Sequence, residues 1–207
     1  MDGYRTLKAP GSAEFIIKKS RFIGHASPAA TEEQALAFLA GIRAKYRDAG
    51  HNCYAYIIGR NEGIMRYSDD GEPGGTAGMP ILEAMRARGI VDCCAVVTRY
   101  FGGVLLGAGG LTRAYAQGSK VAVDAAAVIT MEDSARLWVG VEYPLWGRVE
   151  HHLQSAPVLP EGVEFGATVT ATLLVRRRDL DAVCAELTKV CDGRVDVAVV
   201  EELVYGW

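Results

Sequence analysis

Two glycine-rich segments hold most of the side chains in this sequence that could do chemistry. The first segment, residues 69–78, is called the acidic loop here because it places three carboxylates among four glycines. The second segment, residues 99–113, is called the glycine segment and carries five glycines between two arginines. Glycine loses more backbone entropy on folding than any other residue, so this density requires a structural or functional reason. The candidate site residues are Asp69, Asp70, Glu72 and Thr76 in the acidic loop, and Arg99, Gly102, Gly103, Gly107, Gly109, Gly110, Thr112 and Arg113 in the glycine segment.

The glycine segment has the composition of an anion-binding surface. A backbone without side chains lets a phosphate, or the backbone of a partner, approach closely. A helix that begins near Leu111 would offer free N–H groups, and Arg99 and Arg113 would add positive potential. The alternative is that the glycines only form tight turns and close contacts between a helix and a strand. Because charged residues flank the glycines on both sides, the binding surface is the favoured hypothesis.

Standard nucleotide and metal signatures are absent from both segments. The run Gly107–Thr112 lacks the last glycine of a dinucleotide-binding motif, and the sequence contains no P-loop. The carboxylates of the acidic loop do not alternate as in an EF-hand, which leaves only a loosely held Mg²⁺ as an alternative. No nucleophile and base can be named together, so we expect a binding protein with no catalytic residue, no cofactor and no bound metal.

Charge is distributed unevenly along the chain. The net charge of −3 combines +3 in residues 1–131 with −6 in residues 132–207. A polyanionic partner should therefore meet the first part of the chain. The odd number of cysteines, five, favours reduced thiols over a disulfide framework. No apolar stretch is long enough for a membrane span, so we expect a cytoplasmic protein that does not bind membranes.

The apolar pattern predicts an α+β protein with two domains, residues 1–131 and 132–207. In the first domain, Thr31 and Gln34 form a capping box before a helix, and the apolar run 93–97 indicates a strand buried on both faces. A second long helix is predicted from Leu111. In the second domain, the pattern predicts the order β-α-β-β-α-β, which is that of a ferredoxin-like domain.

Several short motifs lie in and around both glycine-rich segments. They are His51-x-Cys53-x-Ala55-Tyr56, 68–73 (SDDGEP), 75–78 (GTAG) with Pro80, 97–103 (VTRYFGG), 106–107 (LG), 109–111 (GGL) and 113–115 (RAY). These motifs closely resemble those of the YigZ family, whose first part is shared with the eukaryotic IMPACT protein, and the resemblance covers nearly the whole chain. It implies a first domain with the fold of the second domain of ribosomal protein five of the small subunit. It also implies a ferredoxin-like second domain similar to one in elongation factor G.

The resemblance implies a role near translation, because IMPACT itself is linked to translational control during amino-acid starvation. Our leading hypothesis is a non-catalytic regulator of translation or stress response that binds RNA, the ribosome or a translation factor through the glycine segment. One alternative is a phosphate- or nucleotide-binding enzyme of unknown reaction. Another is a protein-interaction module that presents a threonine-lined face of the second domain to a partner protein. The sequence predicts no particular oligomeric state.

Overall fold

A five-stranded antiparallel sheet organises the first structural unit, Tyr4–Thr130, of the computed structural model, which describes residues 3–207. The strand order in this sheet is β2-β3-β6-β4-β5. A short strand, β1, precedes it and forms a parallel bridge between Arg5 and Ile90. The strands of this unit are β1 (Tyr4–Leu7), β2 (Gly11–Ile17), β3 (Ser20–Pro28), β4 (His51–Ile58), β5 (Ile64–Ser68) and β6 (Cys93–Tyr100).

Helices cover both faces of the first sheet. Helices α2 (Gly78–Ala87) and α3 (Ala108–Ala126) pack on one face, where Phe22, Ile57 and Tyr115 are in the main core. Helix α1 (Glu32–Lys45) lies on the opposite face. Strand β6 is in the middle of the sheet and is covered on both sides, which explains its continuous apolar run.

The start of α1 has the predicted capping box in a slightly shifted form. Gln34 donates its N–H to the hydroxyl of Thr31 at 3.3 Å. The side chain of Gln34 accepts from the N–H of Ala30 at 2.8 Å, one residue before the cap. Two N–H groups near the helix start are thereby satisfied, which stabilises the start of α1.

The second unit, Met131–Trp207, is a ferredoxin-like domain, as predicted. Its strands follow the order β10-β7-β9-β8, and β1 also pairs with β7 as the fifth strand of this sheet. Helices α4 and α5 cover one face around a core that includes Leu137, Leu173 and Leu187. Its elements are β7 (Val128–Val141), α4 (Tyr143–Leu153), β8 (Val158–Phe165), β9 (Val169–Arg176), α5 (Leu180–Val190) and β10 (Asp196–Gly206). Among residues 3–207, no helix combines the length and the apolar character that crossing a bilayer requires.

Candidate functional site

Both glycine-rich segments lie at the same end of the first sheet. The register places Arg99 opposite His51 of β4 and opposite Phe22 of β3. The acidic loop follows β5 and leads into α2, and the glycine segment follows β6 and leads into α3. The sheet therefore brings together two segments that are separated by about twenty residues in sequence.

Asp69 caps helix α2. Its carboxylate accepts backbone N–H groups from Gly75 at 2.8 Å, Ala77 at 3.0 Å and Gly78 at 2.8 Å. Burial raises the pKa of Asp69, but these three donors outweigh it, and the pKa lies below its ordinary value. The carboxylate therefore satisfies N–H groups at and before the start of α2 that would otherwise lack partners.

Asp70 connects the acidic loop to β4 and α1. Its carboxylate accepts the backbone N–H of Asn52 at 2.7 Å and pairs with the guanidinium of Arg43 at 3.0 Å. The backbone carbonyl of Asp70 lies 2.8 Å from Nδ1 of His51, so this ring nitrogen carries the proton and donates. Asp70 thus holds the loop against the start of β4.

Glu72 is at the centre of a buried polar cluster. Its Oε1 accepts from Nη1 of Arg99 at 2.7 Å and from the hydroxyl of Tyr115 at 2.6 Å. Nε2 of His51 lies 3.9 Å from the same oxygen. Desolvation by burial raises the pKa of Tyr115 above its ordinary value. We call Glu72, Arg99, Tyr115 and His51 the Glu72 cluster.

Cys53 lies beside the Glu72 cluster, and its thiol is not suited to act as a nucleophile. Its thiol donates to the backbone carbonyl of Asp69 at 3.0 Å. Desolvation by burial raises the pKa of Cys53 to about 12. The thiolate that a nucleophilic cysteine requires is therefore strongly disfavoured.

The carboxylates of the acidic loop all have partners within the protein. Asp69 is satisfied by backbone N–H groups, Asp70 by Arg43 and Asn52, and Glu72 by Arg99 and Tyr115. Within the described part of the chain, no group of three His, Cys, Asp or Glu side chains is arranged to hold a metal ion. The side chains of the acidic loop therefore connect β5, β6 and α2 to one another within the protein.

Arg99 differs from the sequence-based expectation. Its side chain is 7% exposed, it is paired with Glu72, and its guanidinium lies 5.5 Å from the ring centroids of Phe22 and Phe101. Its Nε is also buried and has no hydrogen-bond partner among residues 3–207. The expectation of an exposed cation at this position is corrected, because the acidic loop supplies an internal carboxylate that neutralises it. Arg99 positions the two segments instead of facing a ligand.

Arg113 is exposed, as the binding hypothesis requires. It lies in the second turn of α3 and makes no side-chain hydrogen bond or ion pair within residues 3–207. Helix α3 begins at Ala108, three residues before the predicted start.

The two candidate threonines form hydrogen bonds within their own segments. The hydroxyl of Thr112 donates to the carbonyl of Ala108 at 3.1 Å. Thr76 is 7% exposed, and its hydroxyl donates to the carbonyl of Pro73 in the acidic loop at 2.7 Å.

The glycines of the glycine segment serve different purposes. Gly102 packs against the backbone of Lys19 so tightly that a Cβ atom would lie 2.0 Å from the carbonyl carbon. Gly103 and Gly107 have φ of +81° and +72°, which L side chains rarely adopt. Gly109 has open space around its Cβ position, and Gly110 contacts only Leu106. Internal packing therefore explains Gly102, and backbone conformation explains Gly103 and Gly107, while the first turn of α3 stays open to an approaching group.

The structure adds cationic residues that the sequence analysis did not select. Lys18 and Lys19 form the two-residue turn between β2 and β3, with φ of +45° and +68°. Both are exposed and have no ion pair in the described region. Gly102 donates its N–H to the hydroxyl of Ser20 at 3.2 Å, which holds this turn beside the glycine segment. The sequence signal was a pair of lysines between two apolar strands.

Exposed apolar side chains lie in the loop between β6 and α3. Phe101 is 57% exposed, Val104 is 39% exposed and Leu105 is 81% exposed. A folded chain leaves single apolar residues at its surface without consequence, but three in one short loop beside free cations indicate a contact surface. Lys18, Lys19, Phe101, residues 102–110 and Arg113 are called the loop surface from here on.

The chain is similar to known proteins over nearly its whole length. A family model described as "Impact N-terminal domain" matches residues 18–123, and one described as "Domain of unknown function (DUF1949)" matches residues 139–194. "IMPACT family member YvyE" of Bacillus subtilis is 37% identical over 95% of this chain and 91% of that protein. "IMPACT family member in pol 5'region" of Thermus thermophilus is 46% identical over 72% of this chain and 84% of that protein. A solved structure titled "Crystal structure of an hypothetical protein" is 30% identical, with a TM-score of 0.61 over 97% of this chain and 98% of that chain.

Proposed function

The chain belongs to the IMPACT family, and from this premise we propose that it is a non-catalytic cytoplasmic regulator of translation that binds structured RNA, including the RNA of the ribosome, through the loop surface. The observation that carries the proposal is a set of three exposed cations, Lys18, Lys19 and Arg113, that have no carboxylate partner among the described residues. Free cations of this kind neutralise phosphates and release counterions, which drives binding to nucleic acid.

The three cations lie at one end of the first unit. Helix α3 packs along β2 and β3, and the ring of Tyr115 meets that of Phe22 edge-on at 5.5 Å. Further along the two elements, the backbone of Gly24 is close to that of Gly118. The residues of α3 that precede Tyr115 therefore run toward the Lys18 and Lys19 turn. At 1.5 Å per residue, the first turn of α3 reaches this end of the sheet.

The start of α3 supports anion binding at the same place. Gly107 caps the helix without a side-chain hydrogen bond, so the N–H groups of the first turn receive no acceptor from the cap. Free N–H groups at a helix start attract phosphate, and the helix dipole adds to this attraction. Open space around Gly109 lets a phosphate reach the backbone.

Phe101 supplies a platform for an unpaired base. Phe101 is 57% exposed, and the buried guanidinium of Arg99 lies 5.5 Å from its ring centroid. Unstacked bases of RNA loops and bulges stack on aromatic side chains that lie beside cations. The Glu72 cluster thus contributes indirectly, because it holds Arg99 where Arg99 can support the ring.

A salt series with a triple variant tests the proposal. Lys18→Gln/Lys19→Gln/Arg113→Gln should weaken binding to ribosomes and to a structured RNA hairpin. The slope of log affinity against log salt should fall by about 2 to 3, since each phosphate contact contributes about 0.9. The matched control removes three other exposed cations of the first unit, Lys8→Gln/Arg47→Gln/Lys120→Gln. Equal slopes for the two triple variants would overturn the proposal.

A translation factor docking on the same loop is the second candidate, and the exposure of Leu105 favours it. Such a protein contact would depend on burying apolar surface and would be less sensitive to salt. Leu105→Ser should then abolish capture of the factor and leave the salt slope for RNA unchanged. If Leu105→Ser and the cationic triple variant affect only protein capture, the partner is a protein and not RNA.

A further inference from the structure

The second unit contains a concave site that the proposed function does not use. A cavity of about 320 Å³ opens where β7 ends and β10 begins, and it is called the Trp138 pocket here. Asp196 of β10 pairs with Gly140 of β7, and Val169 of β9 pairs with Val141, so three strands meet at this place. A volume near 300 Å³ is at the lower end of the range for ligand sites and suits a single side chain.

Gly140 leaves room for the indole ring that lines the Trp138 pocket. A Cβ atom at position 140 would lie 2.5 Å from Cη2 of Trp138, so the indole ring lies directly over this glycine. Glycine inside a strand is destabilising relative to alanine, so its presence here requires a reason. Space for the indole ring is the structural reason for glycine here, and the ring forms a wall of the pocket.

Two carboxylates at the Trp138 pocket have no cationic partner. Glu142 and Asp196 line the cavity, are exposed, and make no ion pair within the described residues. Arg194 also lines the cavity, and its guanidinium lies 3.9 Å from the carboxylate of Asp192, which also pairs with Arg148 at 2.8 Å. The pocket thus offers an aromatic face and two carboxylates without a cationic partner, against one arginine at its edge.

We propose that the Trp138 pocket binds an arginine side chain from a basic segment of a partner protein. A guanidinium stacks on indole, which is the best aromatic partner for a cation, and its N–H fork matches a carboxylate. The surrounding charge agrees, because residues 132–207 hold 7 Lys and Arg against 13 Asp and Glu, a net charge of −6. The same charge repels phosphate, so this pocket does not suit RNA.

Exposed aromatic rings next to the pocket extend this surface. Tyr143, the residue after Glu142, is 52% exposed, and Phe165 is 65% exposed. Their ring centroids are 6.5 Å apart, and the hydroxyl of Tyr143 donates to the carbonyl of Gly166 at 2.9 Å. Trp146 meets Phe165 edge-on at 6.2 Å. These rings would hold apolar residues that neighbour the arginine in the partner segment.

Titration of the full-length protein with a short peptide tests the proposal. The probe is an acetylated Gly-Arg-Leu-Arg-Gly amide, and the readout is the indole N–H signal of Trp138 in a nitrogen-15 spectrum. We expect this signal to shift progressively with the arginine peptide and to stay unchanged with a citrulline peptide of the same shape. Citrulline lacks the positive charge, so it separates charge recognition from simple packing.

Charge and shape variants make the test specific to the pocket. Glu142→Gln/Asp196→Asn should weaken peptide binding at least fivefold, while the control Glu150→Gln/Glu186→Gln, which removes two carboxylates on helix surfaces, should leave it unchanged. Gly140→Ala should displace the ring of Trp138 and also weaken peptide binding. A cooperative unfolding transition of this variant would show that its second domain is still folded.

Three outcomes would overturn the proposal. The first is an unmoved Trp138 signal with the arginine peptide, and the second is equal weakening by the two double variants. The third is a Trp138 signal that moves with uridine monophosphate and not with the peptide, which would make the pocket a nucleobase site.

Discussion

Nη1 of Arg99 lies 2.7 Å from Oε1 of Glu72, with 7% and 3% of the two side chains exposed. This ion pair joins the glycine segment to the acidic loop and removes both charges from the surface. A buried pair contributes little net stability compared with apolar residues, but removing one partner leaves the other buried without a countercharge. The pair therefore fixes the position of the loop surface and does not itself offer a charge to a ligand.

Glu72→Gln should destabilise the first unit strongly. The variant keeps the shape of the side chain but leaves the guanidinium of Arg99 buried without a countercharge. Removing one partner of a buried pair costs about 3–5 kcal/mol, which chemical unfolding should detect. Glu14→Gln is the matched control, because Glu14 pairs with Arg21 at 2.5 Å on the surface. An equally small effect of both substitutions would contradict the account.

Stability should fall as the pH decreases from about 6.5 to about 4 because of His25. Burial, reinforced by the charge of Lys45, lowers the pKa of His25 to about 4 from an ordinary 6.5. In this window the unfolded chain binds a proton that the folded chain does not, so stability rises with pH. The shift corresponds to about 3 kcal/mol.

Unfolding free energies measured across this pH range check the assignment to His25. His25→Gln should flatten the slope between pH 4 and 6.5, whatever its effect on overall stability. His151→Gln, at an exposed position of α4, should keep the slope because His25 is still present. A slope that survives His25→Gln would assign the pH dependence to another group.

One cysteine should react with an aromatic disulfide reagent in the native protein. Cys184 is partly exposed, whereas Cys53, Cys93, Cys94 and Cys191 are buried. Burial raises the pKa of Cys53 and of Cys94 to about 12, so little thiolate exists near neutral pH. We expect one labelled thiol in the folded state, five after denaturation, and none in folded Cys184→Ser. Rapid labelling of Cys53 in the native state would show that the Glu72 cluster opens.

Phe101→Ala should weaken RNA binding by about 1–3 kcal/mol, the usual contribution of one stacked base. Phe101→Leu separates stacking from simple burial, since it keeps apolar surface and removes the ring. Phe101→Ala and Phe101→Leu should show a similar loss of RNA affinity. The control Tyr205→Ala, which removes an exposed aromatic ring of the second unit, should bind RNA with unchanged affinity. Full binding by Phe101→Leu would indicate that the ring serves an apolar protein contact.

Local signals in the sequence predicted much of the fold. Two of these signals depend only on neighbouring residues, and both are present in the structure. They are the capping box of Thr31 and Gln34 and the β-α-β-β-α-β order of the second domain. Strand β8 begins at Val158 and runs through Pro160, a residue that usually interrupts a strand. Proline is tolerated there because β8 is at the edge of its sheet and bulges between Pro160 and Gly162.

The candidate site was only partly predictable, because its main contacts are long-range. Glu72 and Arg99 are 27 residues apart, and no local pattern shows that the fold pairs them. Sequence analysis therefore read Arg99 as a free cation. The roles of Lys18 and Lys19 likewise depend on Gly102, which the fold brings beside their turn and which donates to Ser20, 82 residues away along the chain.

The most direct measurement follows the glycine amides of the loop surface during a titration with structured RNA. In nitrogen-15 spectra at low salt, an RNA hairpin should shift the amide signals of Gly102, Gly103, Gly109 and Gly110, and 0.5 M salt should reverse these shifts. The signals of the second unit should stay unchanged. RNA binding that leaves these four amides unmoved, or that shifts only signals of residues 132–207, would contradict the account.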